Sequence, residues 1–559
     1  MEVRSAKLIV THRGRLAEQY GPGGVEKIDA AVAELIKADD GRGIETIYVH
    51  LDDTEEMQTV CSRPVRKNPT AVACKKAIDR IIAACPFDYI ALLGSDDIIP
   101  HFNLPNPAVG FPSDDDREVP SDNPYACSSP FKATSPSSYL VPDRVLGRIP
   151  DVIGSKDPEP LLKYLRAAAA SEPLSPSAFA LDLMICCDSW SGSGSKCAAS
   201  LARAAENLLL TPPTTDVSEP LRDRHRARLH MIKCHGAIRD PRFFGDIPAG
   251  APVVLHSDSL KDRIAASTVV AAMCCYGAAL FDPSGGNVTG LPIPNVYLQQ
   301  GAAGYVGATC VAYVGLTEMQ CGDRIACHFL ETVLTGASLG TAFLDVKQRF
   351  MADINKAGRS PNAPEEKTMI EFVLLGDPSL RPVLSRDERS TIHAAAGVPI
   401  VGGGPEESIG DMMFDMKGQS PAAIAAERRI RRTYYYDLAQ QLRAKLPKRE
   451  AVDSEVPDSQ FLTRTELEYL GVTKPIVHRV QRSVKQPEHG RHRPLTGAVT
   501  AALGIQTQTA AVTRTVQEET LQYYWCARKP HDRVIDATVV TVETDLDGNV
   551  LRKHVVVTA

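Results

Sequence analysis

Residues 7–51 decide the fold: KLIVTH (7–12) and TIYVHL (46–51) flank the long segment VEKIDAAVAELIKADDGRG (25–43). The two short runs are apolar and rich in β-branched residues, which is typical of buried strands. The segment between them has the apolar spacing of a helix. A second helical pattern, CKKAIDRIIAAC (74–85), then precedes another strand pattern, YIALLGS (89–95). This alternation predicts an α/β fold with a mainly parallel sheet sandwiched by helices.

A second alternating series begins near residue 180 and closes near residue 385. Its strand patterns are LDLMICCDSW (181–190), RLHMIKCHG (228–236), PVVLHSD (252–258), STVVAAMCCYG (267–277), AAGYVGATCVAYV (302–314) and EFVLLGDPSLRP (371–382). We therefore predict two α/β units, at 1–170 and 175–385, that are related in pattern only. Residues 101–142 of the first unit are rich in proline, serine and aspartate and predict a long functional or disordered loop.

The alternation stops after residue 385. Residues 386–424 are rich in glycine and proline and predict a linker. The remaining residues, 425–559, predict a small α+β domain that begins with a helix at ERRIRRTYYYDLAQQLRAKL (427–446). Its last two strands lie around Asp547-Gly548-Asn549, which is a strong hairpin signal.

The overall composition excludes several classes of function. The net charge of −6 argues against a nucleic-acid binder, which would carry a basic domain or patch. The apolar runs are strand-length and are broken by polar residues, so no membrane span is predicted. The start of the chain, MEVRSAKLIVTHRG, lacks the apolar segment of a signal peptide. We expect a cytoplasmic protein.

The 14 cysteines predict reduced, mostly buried thiols rather than disulfides or metal ligands. No CxxC pair occurs, and the adjacent pairs at 186–187 and 274–275 lack the spacing of zinc ligands. The segment SGSGSK (191–196) fits neither phosphate-binding glycine motif and predicts a flexible turn between a strand and a helix. No metal or cofactor is therefore expected.

His235 is the first candidate for a chemical role. It follows the apolar strand pattern LHMIKC (229–234) and is followed by Gly236. Open α/β sheets place their sites just outside the carboxyl ends of the strands, where this imidazole would lie. Gly236 would let a substrate backbone approach closely, and its N–H could point at an oxyanion.

Forty positions further on, a second apolar strand ends in Cys274, Cys275, Tyr276 and Gly277. Two parallel strands that end side by side would bring the imidazole and a thiol together. A cysteine peptidase needs this pair: a thiol that attacks, and a histidine that takes its proton and later protonates the leaving amine. The order and spacing match the caspase signature, a Cys-x-Gly with its histidine about 50 residues upstream.

The chain resembles the caspase-like cysteine peptidases of clan CD, and among them the gingipain-type branch and its bacterial intracellular relatives. The stretches that carry the resemblance are LIVTHRGRLAEQYG, YIALLGSDDIIP, SDNPYAC, DRVLGRIPD, IKCHGA, AAMCCYGAALFDP and FVLLGDPSLRP, within residues 1–385. The resemblance implies a caspase–hemoglobinase-like catalytic domain at 175–385, preceded by a related α/β subdomain. Residues beyond 385 lie outside it.

The resemblance also implies the roles of the site residues. Cys275 would be the nucleophile and His235 its acid–base partner, and Gly236 with the Cys275 N–H would hold the oxyanion. Relatives with Ala-Cys-Tyr-Gly support Cys275, whereas the gingipain spacing Cys-x-x-Gly would select Cys274. Because successive side chains leave a strand on opposite faces, only one of the two can face the histidine.

Two further sets of residues have side chains that could take part in chemistry or binding. His256 and His328 are expected to be structural. Acidic residues of the 101–142 loop, Asp114, Asp115, Asp116 and Asp122, are candidates for a pocket that selects a basic residue before the cleaved bond, but the substrate-binding residues stay open.

The expected function is therefore a cysteine endopeptidase that cuts protein or peptide substrates through a Cys-His dyad and an acyl-enzyme. The resemblance further implies a regulated bacterial stress or defence pathway, with a possible regulatory partner bound through the C-terminal domain. The alternative is a catalytically silent caspase-like scaffold that binds a protein partner. Retention of the histidine, its glycine and the cysteine disfavours that alternative.

Overall fold

The structure is a computed structural model that describes residues 4–111, 114–132, 136–247, 250–285, 288–385, 421–452, 461–463, 466, 470, 474–493, 510–529 and 534–559. The predicted linker at 386–424 lies outside the described residues except for its last four positions, which are helical.

The strands follow the predicted patterns closely through residue 385. In chain order they are β1 (Ser5–Thr11), β2 (Ile44–His50), β3 (Tyr89–Leu93), β4 (Phe102–Pro105), β5 (Glu118–Ser121), β6 (Leu146–Ile149), β7 (Asp182–Cys187), β8 (Leu209–Thr211), β9 (Leu229–Lys233), β10 (His235–Gly236), β11 (Arg242–Phe244), β12 (Val253–His256), β13 (Val269–Ala272), β14 (Gly304–Ala308), β15 (Tyr313–Gly315), β16 (Phe372–Gly376), β17 (Lys448–Val452), β18 (Ile476–Arg493), β19 (Ala510–Lys529), β20 (Asp536–Thr544) and β21 (Val550–Thr558).

The helices alternate with these strands. They are α1 (Arg13–Gly41), α2 (Thr54–Thr59), α3 (Ala71–Ala84), α4 (Glu159–Ala169), α5 (Ser191–Ser200), α6 (Glu219–Arg224), α7 (Ile293–Gln299), α8 (Gly322–Leu334), α9 (Leu339–Lys356), α10 (Ala363–Glu371) and α11 (Pro421–Arg443). Among the described residues, no helix combines the length and the apolar character that a membrane crossing requires.

A ten-stranded sheet forms the centre of the described structure, in the order β2-β1-β3-β6-β16-β14-β13-β9-β7-β8. Every neighbouring pair is parallel except β14 with β16, so the sheet consists of two parallel halves that run in opposite directions. Its inner strands, such as β3, β7 and β13, are buried at every position because helices cover both faces. The predicted α/β sandwich is confirmed.

The two predicted α/β units share this one sheet. Strand β16, from the second unit, pairs with β6 of the first and with β14 of its own. One continuous hydrophobic cluster accordingly runs through both halves. The division at residues 170–175 stays a prediction.

One sequence prediction about loops is wrong. Residues 191–196 form the first turns of α5 rather than a flexible turn, because Gly194 lets the helix pack directly onto Cys186 of β7. A β-carbon on Gly194 would lie 2.8 Å from the Cys186 sulfur. The 101–142 segment, in its described part, contains the antiparallel hairpin β4–β5.

The C-terminal region forms a separate antiparallel sheet in the order β15-β21-β20-β19-β18-β17. The predicted hairpin is confirmed: β20 and β21 pair in antiparallel fashion on either side of Asp547–Asn549. Edge strand β15 belongs to the second α/β unit, so this sheet is continuous with the region that carries the candidate site.

Candidate active site

The candidate residues follow two neighbouring strands of the central sheet. Strands β9 and β13 pair in parallel, with Ile232 opposite Ala272. The chain therefore leaves both strands at the same edge of the sheet, with His235 three positions after Ile232 and Cys275 three positions after Ala272. This is the edge at which parallel α/β sheets place their functional groups.

A tight turn presents Cys275. The Gly277 N–H donates to the Cys274 carbonyl at 3.0 Å, and the Tyr276 N–H donates to the Cys310 carbonyl at 2.8 Å. Tyr276 has a φ of +54°, a left-handed conformation that is uncommon for a large side chain. Backbone strain of this kind clusters at functional sites, where the surrounding structure holds it in place.

Gly236 lies directly against the main chain of Cys275. A β-carbon at Gly236 would fall 1.9 Å from the Cys275 carbonyl oxygen and 3.4 Å from the β-carbon of Cys274. No side chain fits there without a shift of the backbone. The glycine after the histidine is thus required by the close approach of the two segments, and the structure brings the predicted Gly236 and Cys275 together.

The thiol of Cys275 is buried and held by one neighbouring residue. Its side chain is 1% exposed. The sulfur accepts from the Ala312 N–H at 3.3 Å and donates to the Ala312 carbonyl at 3.7 Å. Burial raises the pKa of the Cys275 thiol, and the Ala312 N–H opposes that shift only in part. In this conformation the group is a protonated thiol at neutral pH.

Cys274 has different surroundings. Its thiol donates to the Ile232 carbonyl of β9 at 3.8 Å, on the inner side of the sheet. It has no exposed surface, and burial raises its pKa well above the usual range. The two adjacent thiols therefore contact different parts of the fold, Cys274 the sheet and Cys275 the segment before β15.

The imidazole of His235 is packed among residues that follow β7 and β11. Its ring meets Trp190 edge-on, with the ring centres 4.5 Å apart. A ring nitrogen of His235, the Cys187 sulfur and a carboxylate oxygen of Asp246 all lie within 4.8 Å of one another. Asp246 also accepts hydrogen bonds from the N–H and hydroxyl of Ser189, at 2.8 and 2.6 Å.

The three groups are donor types that bind zinc, so this cluster could hold a metal ion. The sequence prediction of no metal site did not consider them. Cys187, Trp190 and Asp246 carry no motif of their own, and no sequence signal marked them. Cys187 ends β7, which neighbours β9 in the central sheet, and Asp246 follows β11, which pairs with β10; only these strand pairings bring them near His235.

The 101–142 loop reaches the turn that carries the nucleophile candidate. The Tyr276 hydroxyl donates to one oxygen of Asp116 at 2.9 Å, and the Val311 N–H donates to the other at 2.8 Å. Lys367 of α10 forms ion pairs with Asp116 at 3.1 Å and with Asp114 at 2.5 Å. The loop is therefore tied to both sides of the Cys275 turn.

All four acidic candidates for a specificity pocket have a cationic partner within the fold. Asp114 and Asp116 pair with Lys367. The remaining two pairs are Asp115 with Arg528 at 2.9 Å and the buried Asp122 with Arg148 at 2.5 Å. These pairs give the carboxylates structural roles, and a basic substrate side chain would have to displace a resident cation to reach any of them.

The other two histidines have local partners. The Nδ1 atom of His256 accepts from the Asp258 N–H at 3.0 Å, and His328 pairs with Glu331 at 3.0 Å on the surface of α8. These contacts are in keeping with the structural roles expected for both.

The backbone amide of Cys275, the predicted oxyanion donor, is engaged. It donates to the Ala559 carbonyl oxygen at 2.6 Å. Ala559 follows β21, nearly 300 residues further along the chain, and no sequence pattern marked it.

Comparison with known proteins identifies the class. Residues 255–383 match the model of Peptidase family C25. That segment includes Cys274, Cys275 and strands β13 to β16 and begins after His235. No curated protein matches significantly. Seven solved chains do, among them one described as "Structure of Protease", at 11% identity with a TM-score of 0.43, covering 100% of this chain and 98% of that one.

The family match and the helix-covered, mostly parallel sheet define a caspase-like cysteine peptidase of clan CD. Within the clan the chain resembles the gingipain branch, since family C25 is the gingipain family. The predicted enzyme class is confirmed, and such an enzyme acts on a protein or peptide substrate.

Proposed function

We propose that the chain cleaves peptide bonds with Cys275 as nucleophile and His235 as its acid–base partner. The observation that carries the proposal is the contact between the His235-Gly236 segment and the Cys275 main chain, at which a β-carbon on Gly236 would overlap the Cys275 carbonyl. That contact supports the proposal because both segments follow neighbouring parallel strands, in the order expected for the clan.

In the proposed reaction, His235 takes the thiol proton and the Cys275 sulfur attacks the scissile carbonyl carbon. The N–H groups of Cys275 and Gly236 donate to the oxyanion that forms. His235 then returns the proton to the departing amine, which leaves an acyl-enzyme. Water, deprotonated by His235, attacks the thioester and releases the acid and the free thiol.

The surroundings of the two thiols support Cys275 over Cys274. Cys274 faces the carbonyl of a central strand, whereas Cys275 faces the loop before β15, outside the sheet edge. A nucleophile needs a position that substrate can reach, and the interior of a sheet offers none. Both thiols are buried, but adjacent side chains point in different directions, so the two contact different parts of the fold.

We also propose that the chain is divided into an N-terminal subdomain (1–170), a catalytic domain (175–385) and a C-terminal domain (425–559). The cytoplasmic location, the role in stress or defence and the external regulatory partner stay predictions. The pairing of every acidic candidate with a resident cation gives no support to the expectation of a basic residue before the cleaved bond.

A peptide-library cleavage profile of wild type, Cys275→Ala and Cys274→Ala tests the proposal. We expect cleavage to fall at least 10³-fold in Cys275→Ala, because the acyl-enzyme is lost. Cys274→Ala is the matched control: it removes an adjacent buried thiol and should retain cleavage within about tenfold. The reverse pattern would assign the nucleophile to Cys274.

A second pair of variants tests the acid–base partner. His235→Ala should abolish the release of peptide products, whereas His256→Ala should not change it. Full cleavage by both Cys275→Ala and Cys274→Ala would overturn the cysteine mechanism altogether. If wild type and every variant fold and bind a peptide but none of them cleaves it, the silent scaffold is favoured instead.

A further inference from the structure

The strand β21 pairs with β15, beside the segment that contacts the Cys275 thiol. It pairs in antiparallel fashion with β15, with Thr558 opposite Tyr313 and Val557 opposite Val314. Strand β15 begins one residue after Ala312, the residue that contacts the Cys275 thiol. Addition of a strand to an exposed edge is a general way for proteins to bind extended peptides.

The residue that follows β21 reaches the nucleophile itself. The Ala559 N–H donates to the Ala312 carbonyl at 3.0 Å, which continues the strand pairing by one residue. The Ala559 carbonyl oxygen accepts from the Cys275 N–H at 2.6 Å. Because that N–H is a proposed oxyanion donor, the Ala559 carbonyl occupies the position of the acyl group of a substrate.

The direction of the chain agrees with this assignment. Residues 556–559 run toward Cys275 with their carbonyl ends leading, so Ala559 would correspond to the residue before the cleaved bond and Thr558 to the residue preceding it. An occupant bound in the opposite direction would present an N–H group, rather than a carbonyl, to the Cys275 amide.

The segment at the site is buried together with the thiol. Ala559 and Thr558 have no exposed surface, and Ala559 belongs to the same hydrophobic cluster as the core of the catalytic half. Cys275, whose N–H donates to the Ala559 carbonyl, is 1% exposed. A substrate peptide therefore has no access to the thiol in this conformation.

The segment is also anchored from behind. The Thr558 hydroxyl accepts from the Ala537 N–H and donates to the Ile535 carbonyl, each at 2.8 Å. Strand β21 pairs along its length with β20, whereas only three of its residues pair with β15. Strand β21 thus pairs with the site through few residues and with the C-terminal sheet through many.

We propose that residues 556–559 act as a built-in, substrate-like inhibitor, held on β15 by the C-terminal domain, and that the wild-type protein cleaves at a basal rate that rises when this segment leaves. The proposal rests on the proposed function of Cys275. It assigns the C-terminal domain an internal role: a movement of its sheet by a few ångströms would free the strand edge and the Cys275 amide together.

Two readouts separate this proposal from the proposed function. The first is the rate at which iodoacetamide alkylates Cys275 in the folded full chain, followed by peptide mapping; it reports access and needs no peptidase activity. The exposed Cys61 and Cys85 serve as internal standards. The second is cleavage of the peptide library.

The variant that opens the site is Ala559→Glu, because a glutamate side chain has no room at a fully buried alanine. We expect alkylation of Cys275 to accelerate at least tenfold and library cleavage to rise by a similar factor. The matched control is Leu551→Glu, at a position of β21 that is 51% exposed; both rates should stay at the wild-type value.

A second variant and an added peptide cover the case in which Ala559→Glu perturbs folding. Thr558→Val removes the two anchoring hydrogen bonds with little change of shape, and it should raise both rates by a smaller factor. The synthetic peptide KHVVVTA, which corresponds to residues 553–559, should slow Cys275 alkylation in the opened variants and leave Cys61 unaffected.

The outcomes are distinct. Equal alkylation of Cys275 in wild type, Ala559→Glu and Thr558→Val would overturn the inhibitor proposal and leave the proposed function standing. Faster alkylation of Cys275 without cleavage in any variant would support occlusion by the segment but overturn the peptidase assignment, and the inhibitory role would fall with it. Faster alkylation together with faster cleavage supports both.

Discussion

At the scale of single residues, the site depends on a glycine packed against a peptide bond. Gly236 approaches the Cys275 carbonyl so closely that even a methyl group must displace the backbone. Because Gly236 and Cys275 are both proposed to hold the oxyanion, such a displacement would change the geometry of the two donors at once. The effect on activity should therefore exceed the effect on stability.

Gly236→Ala tests this. We expect the rate of library cleavage to fall about 10²-fold or more, since misplacement by about 1 Å has that effect on positioned groups. Stability should fall by roughly 1–3 kcal/mol, as is usual for overpacking. Gly23→Ala in α1 is the matched control, because a β-carbon there meets nothing within 4 Å. A Gly236→Ala protein with unchanged cleavage would refute the close-contact argument.

The sequence marks His235, Gly236 and Cys275 as candidates because an apolar strand pattern leads into His-Gly and into Cys-Tyr-Gly. Their chemistry and their place at the sheet edge follow from local pattern. Asp246 and Asp116 reach the site from loops, and Ala559 reaches it from another sheet. Contacts of that kind depend on tertiary packing, which no local pattern encodes.

At the scale of elements, helix α10 supports the turn through the buried ammonium group of Lys367. Lys367 neutralises Asp114 and Asp116, and Asp116 in turn holds the Tyr276 hydroxyl and the Val311 amide. A buried carboxylate without its counter-charge is costly, so the loop, helix and turn depend on this one ammonium group.

Lys367→Met should therefore destabilise the protein by about 3–5 kcal/mol, the usual cost of leaving a buried charge unpaired. Chemical denaturation gives the value, and Lys163→Met at an exposed position of α4 is the control. The double variant Lys367→Met, Asp114→Asn should recover part of the loss, because one of the two carboxylates is then neutral. If the free energy of unfolding falls by less than about 1 kcal/mol, the ion pairs of Lys367 are solvated rather than buried.

The sequence predicts elements well where the apolar pattern is regular, as in strands β7, β9 and β13. The prediction failed at Ser191–Lys196, where serine and glycine lack helical propensity and packing onto β7 decides the conformation. It also missed the hairpin β4–β5, whose short strands are interrupted by prolines and polar residues. Tertiary contacts override weak local preference in both segments.

At the scale of the whole molecule, sequence pattern predicted the two alternating series but not how they join. The antiparallel pairing of β14 with β16, which merges two parallel halves into one sheet, has no local signature. The same holds for the pairing of β15 with β21, which connects the candidate site to the C-terminal sheet. Both connections depend on strands that are far apart in the chain.

Stability of the whole molecule should depend on pH through Glu371, the last residue of α10. Burial raises the pKa of this carboxyl to about 8, against a value of about 4.3 in an unfolded chain. Between these two values the folded protein keeps a proton that the unfolded chain releases. The stabilising contribution is therefore complete below about pH 4 and is lost as the pH rises toward 8.

Glu371→Gln removes this titration while keeping the shape of the side chain. Compared with wild type, its free energy of unfolding should fall less between pH 5 and pH 8, by a difference on the order of 2–4 kcal/mol. Urea denaturation at a series of pH values measures both slopes, so titrations common to the two proteins cancel. Glu34→Gln at an exposed position of α1 should keep the wild-type slope. If the free energy of unfolding changes equally with pH in wild type and Glu371→Gln, the Glu371 carboxyl is already ionised in the folded protein. Lys367 would then be the group that stabilises its charge.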